Sequence, residues 1–334
     1  MAKPTLEVPD SLNIPADQSA THKKLIEFVK NSTKLKPDNF KVSDLKWRFA
    51  IRAILRGENI LFLGESGSGK TMMVYILNEI FNEAGSKRPL FVFNMGATQD
   101  PRSTLIGNTH YTKDVGTYVA ESEFIRAIQT PNAMILLDEL SRAHPDAHNI
   151  LMMPLDQKQR YLRIDERPDS PTIKVAQGVT FLATANVGTQ YTSTRTMDRA
   201  LLDRFSVVMM EPISKEEEIS LLTQSFPNLD SYTIGAIAEI ADNTRKNVKS
   251  DNPKVETIVS TRVTMRMAAL CADGFSLEES VESEIYPFHS DAGGADSPRT
   301  YMKQLVQKFI RDDKTKNKNS PYNAKNLNSA DAPF

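Results

Sequence analysis

The octapeptide Gly64-Glu65-Ser66-Gly67-Ser68-Gly69-Lys70-Thr71 joins three glycines, a lysine and a hydroxyl in the pattern G-x-x-x-x-G-K-[ST]. Each residue type answers a need of a polyphosphate. The glycines let successive backbone N–H groups turn inward around one phosphate, and a helix starting directly behind them adds positive potential. Lys70 can bridge a β- and a γ-phosphate, and the Thr71 hydroxyl is a hard oxygen ligand suited to Mg²⁺. Further along, Met134-Ile135-Leu136-Leu137 runs into Asp138-Glu139. Two carboxylates ending a buried strand are costly to desolvate without partners, and Mg²⁺ and a water molecule provide them. Asp138 is expected in the Mg²⁺ shell, and Glu139 is expected to orient and polarise the attacking water. The run Val179–Asn186 is largely apolar and ends in an amide. Asn186 is therefore expected beside the γ-phosphate, where it would help position that water.

Each of these motifs has a plainer reading: a glycine-rich turn, strand-end acids facing solvent, and an asparagine capping a turn. Their co-occurrence, each behind an apolar strand, favours the chemical reading. The stretch Asp198-Arg199-Ala200-Leu201-Leu202-Asp203-Arg204-Phe205 leads into one more apolar run. Arg204 is expected far from the chain's own phosphate loop. It is instead placed to stabilise charge on a phosphoryl group bound by a neighbouring copy. Arg199 is a second candidate, and a salt bridge to Asp198 or Asp203 is the plain alternative for either.

The elements that must hold these residues follow from the hydrophobic pattern. Ile60–Leu63, Leu90–Phe93, Ala133–Leu137, Val179–Ala183 and Val207–Met210 read as short buried strands. Helical patterns lie between most of them, which implies a parallel sheet covered on both faces. Leu45, Phe49, Ala50, Ala53 and Ile54 mark a helix ended by Gly57, and Met72, Met73, Ile76, Leu77, Ile80 and Phe81 mark another that stops near Gly85. Residues 103–119 suggest a small insertion, and 160–177 suggest a hairpin across a Pro/Asp turn. Past Pro212 the pattern is helical, over 216–225, 232–244, 262–272 and 299–310. The expected organisation is an N-terminal arm (1–40), an α/β core (41–212), a helical domain (213–310) and a disordered tail (311–334), the last from its Asn/Lys/Ser-rich composition.

The 334 residues carry 41 Lys+Arg against 42 Asp+Glu, so composition gives no case for a dedicated nucleic-acid or membrane binder. No apolar run reaches the length of a membrane span and the start lacks a signal-like stretch, so a cytoplasmic setting is expected. The single cysteine, Cys271, lies in an apolar run and reads as a buried small hydrophobe. His144 and His148 stand four apart without an evident third ligand, which speaks against zinc. Lys314, Lys316 and Lys318 read as a solvated end.

Together these stretches resemble the AAA+ ATPases of the MoxR type, in the dynein-related group that includes CbbQ-, NorQ- and CobS-like proteins. The matching segments are GESGSGKT, the LIG of 105–107, LLDELSRA at 136–143, FLATAN at 181–186, ALLDRF at 200–205 and STR at 260–262. Glu65-Ser66 stands where a proline is frequent, and these positions contribute backbone only. The resemblance implies an α/β P-loop core with a five-stranded parallel sheet ordered 5-1-4-3-2 and a small helical lid. It implies ATP and Mg²⁺ as ligands, an insertion after the second strand and a hairpin before the fourth. By the same resemblance Arg262 is a lid arginine reaching the γ-phosphate. Because Arg204 is expected to act across subunits, the chain is expected to work as a ring, a hexamer. The resemblance also implies that the ring remodels or activates a client or adaptor protein, in some relatives one with a von Willebrand factor A domain. A nucleic-acid motor or loader is the alternative. A slow nucleotide-dependent scaffold would leave Glu139 and Arg204 without a task.

Overall fold

The computed structural model describes residues 20–113, 116–165, 167, 169–186 and 197–310. The expectations for 1–19, for Glu166 and for the polar stretch 311–334 with its lysines lie outside the described residues. In chain order the elements are α1 (Ala20–Asn31), α2 (Asp44–Arg56), β1 (Ile60–Gly64), α3 (Lys70–Glu83), β2 (Leu90–Asn94), α4 (Pro101–Leu105), β3 (Gly107–Thr112), β4 (Gly116–Glu121), α5 (Glu123–Gln129), β5 (Met134–Asp138), α6 (Pro145–Leu155), β6 (Tyr161–Arg163), β7 (Thr172–Lys174), β8 (Thr180–Asn186), α7 (Arg199–Leu202) and β9 (Ser206–Met210). There follow α8 (Lys215–Ser225), α9 (Ser231–Val248), α10 (Thr261–Ala272), α11 (Leu277–Glu284) and α12 (Pro298–Gln307). The described residues form two compact units, 20–37 with 42–211 and 38–41 with 212–310.

In the first unit one parallel sheet has the order β2-β5-β8-β1-β9. Two antiparallel hairpins, β3–β4 and β6–β7, interrupt the strand count. With the five sheet strands alone numbered along the chain, the order is 5-1-4-3-2 from the β9 edge. The hairpins occupy the two stretches where interruptions are expected. The three inner strands are mostly apolar and almost fully buried, as strands covered on both faces must be, with Thr180 and Thr184 of β8 the buried polar exceptions. The outer two are not the buried strands the apolar runs suggest: Val92 on β2 and Val207 and Met209 on β9 are nearly half exposed, and Val207 and Met209, two residues apart, stand on one incompletely covered face of their edge strand. Register brings Gly64 level with Asn186 and Asn94 level with Asp138, so the residues with chemical potential gather at one end of the sheet.

Helix faces differ from the expected ones in phase. On α2 the buried residues are Trp47, Ala50, Ile51, Ala53, Ile54 and Leu55, while Leu45 and Phe49 point outward. Trp47 sets the rotation: it is fully buried and its indole N–H donates to the Ser32 carbonyl at 2.9 Å. On α3 Met72 is exposed and Val74 replaces it in the core. Gly57 caps α2 in the left-handed conformation at φ 64°, with its N–H on the Ala53 and Ile54 carbonyls. The described part of the N-terminal region packs on the core, with Leu25 and Phe28 of α1 buried and Phe28 stacked on Phe81.

The second unit is built from five helices, one more than the hydrophobic pattern suggests. The extra one, α11, carries few apolar residues and is started by a capping box between Ser276 and Glu279. The core of this unit includes Ile237, Ile240, Met267, Val281 and Met302. Cys271 is only partly buried at its margin, and burial is the main reason its thiol pKa is raised.

Candidate active site

The loop between β1 and α3 has the geometry its glycines predict. Gly67 and Gly69 hold φ of 77° and 86°, values that disfavour any side chain. Gly64 is required for space instead, because a Cβ there would sit 2.0 Å from the Met210 carbonyl oxygen. Lys70 opens α3, is 8% exposed, and donates from Nζ to the Gly64 and Glu65 carbonyls at 2.9 and 2.7 Å. A buried ammonium resting on loop carbonyls, with the start of a 14-residue helix beside it, is a site prepared for an anion.

At the end of β5, Asp138 Oδ1 accepts hydrogen bonds from the Thr71 hydroxyl at 3.1 Å and the Thr184 hydroxyl at 2.5 Å. Thr71 and Asp138 thus offer adjacent hard oxygens, the donor class Mg²⁺ takes from a protein when phosphate and water complete its shell. Glu139 follows in the left-handed region at φ 57°, a strained placement for a non-glycine that redirects the chain immediately after the strand. Its N–H donates to Thr184 Oγ1 at 3.0 Å, and its Oε2 lies 2.9 Å from Arg142 Nη1. Asn186 ends β8, part-buried, with its N–H on Ser141 Oγ at 3.3 Å.

Three of the residues around these acids have no role assigned from the sequence, although Thr184 and Arg142 lie within the FLATAN and LLDELSRA segments. Thr184 is the shared partner of Asp138 and Glu139, and within the run of β8 it reads as one more strand residue. Gly96 stands so close that a Cβ there would lie 2.5 Å from Glu139 Oε2. Arg142 pairs with Glu139 three residues on. Spacing along one helical turn could have suggested Arg142; Thr184 and Gly96 become visible only once β5, β8 and β2 lie side by side.

Arg204 stands apart from this cluster. It precedes β9, which pairs with β1 from Ile60↔Ser206 to Gly64↔Met210, so it sits at the opposite end of the strands from the loop. Four residues of strand alone put it more than about 13 Å away. Its guanidinium donates to the Met152 carbonyl at 2.9 Å and the Ala200 carbonyl at 2.6 Å, and lies 3.7 Å from Asp156. Arg199, at the start of α7, is exposed. Arg262 is exposed in the first turn of α10, in the second unit. The two histidines have backbone partners: His144 Nδ1 accepts from the Asp146 N–H, and His148 Nε2 lies 3.1 Å from the Leu140 carbonyl.

Comparison with known proteins places these features in a family. Residues 59–205 match the AAA domain of the dynein-related subfamily. BssE of Thauera aromatica, which carries a chaperone's name, is 32% identical over 229 residues, covering 68% of this chain and 74% of that one. An uncharacterized protein of Staphylococcus saprophyticus is 27% identical over 195 residues, 58% of this chain and 70% of its own. The chaperone ClpB of Lactococcus lactis is 32% identical over 138 residues, which are 40% of this chain but 14% of ClpB. The matched span runs from the residue before β1 to the residue before β9, taking in the phosphate loop, both acids and the two arginines of the 198–205 segment. The chain belongs to the dynein-related subfamily of the AAA ATPases.

Proposed function

We propose that the chain is a MoxR-type motor that hydrolyses ATP with Mg²⁺, works as a closed ring of six subunits, and uses the cycle to remodel or activate a client protein. The observation that carries the reading is the split of the candidate residues between two ends of one sheet. Lys70, Thr71, Asp138, Glu139 and Asn186 lie at one end, and Arg204 lies at the other. In this reading the loop 64–71 wraps the phosphates and Lys70 leaves its two carbonyls for the β- and γ-phosphate oxygens. Thr71 and Asp138 would hold Mg²⁺, which when bound neutralises charge on the phosphate oxygens. Glu139 takes the proton from water as it attacks, and Asn186 fixes that water. Arg204 completes a neighbour's site, with Arg199 the alternative, and Arg262 couples the nucleotide to the helical unit.

A protein client fits the hairpins better than nucleic acid does. Arg163 of β6 is paired with Asp165 at 2.6 Å, and Arg167 is paired with Asp169 and Glu121 at 3.0 and 3.1 Å. Their positive charge is therefore offset at home, and the phosphate contacts that dominate nucleic-acid affinity would have to break these pairs. The chaperone names of BssE and ClpB point the same way. An adaptor with a von Willebrand factor A domain belongs to the same proposal. Among the described residues no helix is long and apolar enough to cross a membrane.

The test is specific ATPase activity against protein concentration, with sedimentation on the same samples. The reading expects Mg²⁺-dependent activity per subunit to rise as subunits assemble, since each site is completed by the next chain. A monomer with full, concentration-independent activity would contradict it.

A further inference from the structure

Asn59 occupies the position just before β1 and is 1% exposed. Its carboxamide is fully used. Nδ2 donates to the Leu155 carbonyl at 2.7 Å and to the Arg204 carbonyl at 3.0 Å, and Oδ1 accepts from Arg160 Nη1 at 3.4 Å. These partners belong to three separate segments: the end of α6, the approach to β9, and the root of the β6–β7 hairpin. A strand start does not require an amide, and a buried amide is costly unless every polar atom is paired.

The same place also holds the Arg204 side chain. The last carbonyls of α6 lack donors within the helix. Arg204 Nε takes Met152 and Asn59 takes Leu155, so together they cap the helix end. Asp156 follows directly. Its carboxylate accepts the Lys158 and Gln159 N–H groups at 3.0 and 3.1 Å, which lower its pKa, aided by the Arg204 charge. Arg160, four residues on, donates to the Val179 carbonyl at 2.6 Å, lies over the Phe181 ring, and sends its N–H to the Asp156 carbonyl. The hairpin root, the helix end and the arginine therefore share one joint. At its other end α6 begins six residues past Glu139, beyond the short turn Leu140–Arg142, and His148 ties it back to the Leu140 carbonyl.

We propose that Asn59, with Asp156, is a positioning residue for Arg204. It joins the arginine's backbone to the C-terminal end of α6 and to the hairpin root. A displacement of the hairpin by a client, or of α6 by the chain's own nucleotide, is thereby passed to the arginine offered to the neighbouring subunit. The proposal rests on the reading of Arg204 as acting across a subunit boundary.

The experiment uses the full chain and mixes variants under conditions of subunit exchange, with co-assembly verified. Asn59→Ala is expected to bind ATP within about twofold of wild type, because the phosphate loop is untouched. Its turnover should fall about 10- to 10²-fold, as a misplacement of about 1 Å can cost roughly 10²-fold. Adding Lys70→Ala subunits, whose own sites are defective but whose Asn59 and Arg204 are intact, should restore part of that activity. Arg204→Ala run in parallel should be rescued in the same way. Asp156→Asn, at a partly exposed position, keeps the turn acceptor and removes the charge facing Arg204. It should show the same pattern with a loss of about two- to fivefold, in the range of a partly exposed ion pair, and it decides the matter if Asn59→Ala does not fold. Loss of ATP affinity in step with turnover, or rescue of Arg204→Ala without rescue of the joint variants, would show a merely structural role and overturn the proposal. Failure to rescue Arg204→Ala itself would remove the trans reading and the proposal with it.

Discussion

Thr184 hydrogen-bonds both acids of the site: its hydroxyl donates to Asp138 Oδ1 at 2.5 Å and accepts the Glu139 N–H at 3.0 Å. One side chain on β8 thus fixes the direction of the carboxylate assigned to the metal and the strained backbone of the residue assigned to the water. Thr184→Val keeps the shape and removes both bonds. Leaving the Glu139 N–H unpaired should cost about 1–3 kcal/mol. The expected result is a lower unfolding midpoint together with a higher Mg²⁺ requirement for turnover, read by denaturant melts and Mg²⁺ titration of ATPase rate.

The phosphate loop gives a sharper separation of binding from folding. The Lys70 ammonium donates to two loop carbonyls, those of Gly64 and Glu65. Lys70→Ala should remove ATP binding while leaving the circular dichroism spectrum unchanged. Calorimetric titration with ATP checks it, and wild-type affinity in the folded variant would contradict the role given to Lys70.

Arg142 holds the Glu139 carboxylate in a pair whose members are 41% and 35% exposed. Such pairs are worth about 0.2–1 kcal/mol, so freeing Glu139 changes its availability by at most about fivefold. Arg142→Ala is expected to leave ATP binding intact and to raise basal turnover within that limit. A loss of turnover instead would mean that Arg142 takes part in the reaction.

Gly96→Ala acts on the same carboxylate by bulk, since the new Cβ would lie 2.5 Å from Glu139 Oε2. The carboxylate can swing aside, so the fold should survive while turnover drops with ATP affinity unchanged. Steady-state kinetics showing a lowered kcat at constant KM would confirm this.

In the helical unit, Glu218 of α8 is fully buried and meets Arg245 of α9 and the Thr264 hydroxyl of α10. Arg245 also donates to the Ile213 and Val259 carbonyls, at 2.9 and 3.3 Å. Removing one member leaves a buried charge without its partner, so Glu218→Ala should destabilise this unit by about 3–5 kcal/mol. Replacing Glu218 and Arg245 together by Leu and Met should cost much less, and denaturant melts of the three proteins distinguish the cases.

The sequence made the sheet and the phosphate loop legible because both are local. Four apolar residues between breakers have few alternatives to a strand, and the glycine spacing around Lys70 has few alternatives to an anion loop. Helix rotation was less legible. Leu45 and Phe49 look like core residues until Trp47, anchored to Ser32, turns them outward. Thr184, Gly96 and Asn59 were illegible for another reason: each acts through residues of other elements, and only the sheet order brings those partners together. The Asn59 carboxamide, for instance, meets atoms 96 and 145 positions away along the chain.

The most direct measurement is ATP turnover by Glu139→Gln, with nucleotide binding recorded on the same protein. The substitution keeps the shape and the Thr184 contact and removes the charge that would polarise water. ATP binding should persist and hydrolysis should fall by about 10²–10⁴-fold, the usual cost of a lost general base. Hydrolysis within about twofold of wild type would contradict the assignment of Glu139, and with it the account of how this site performs its chemistry.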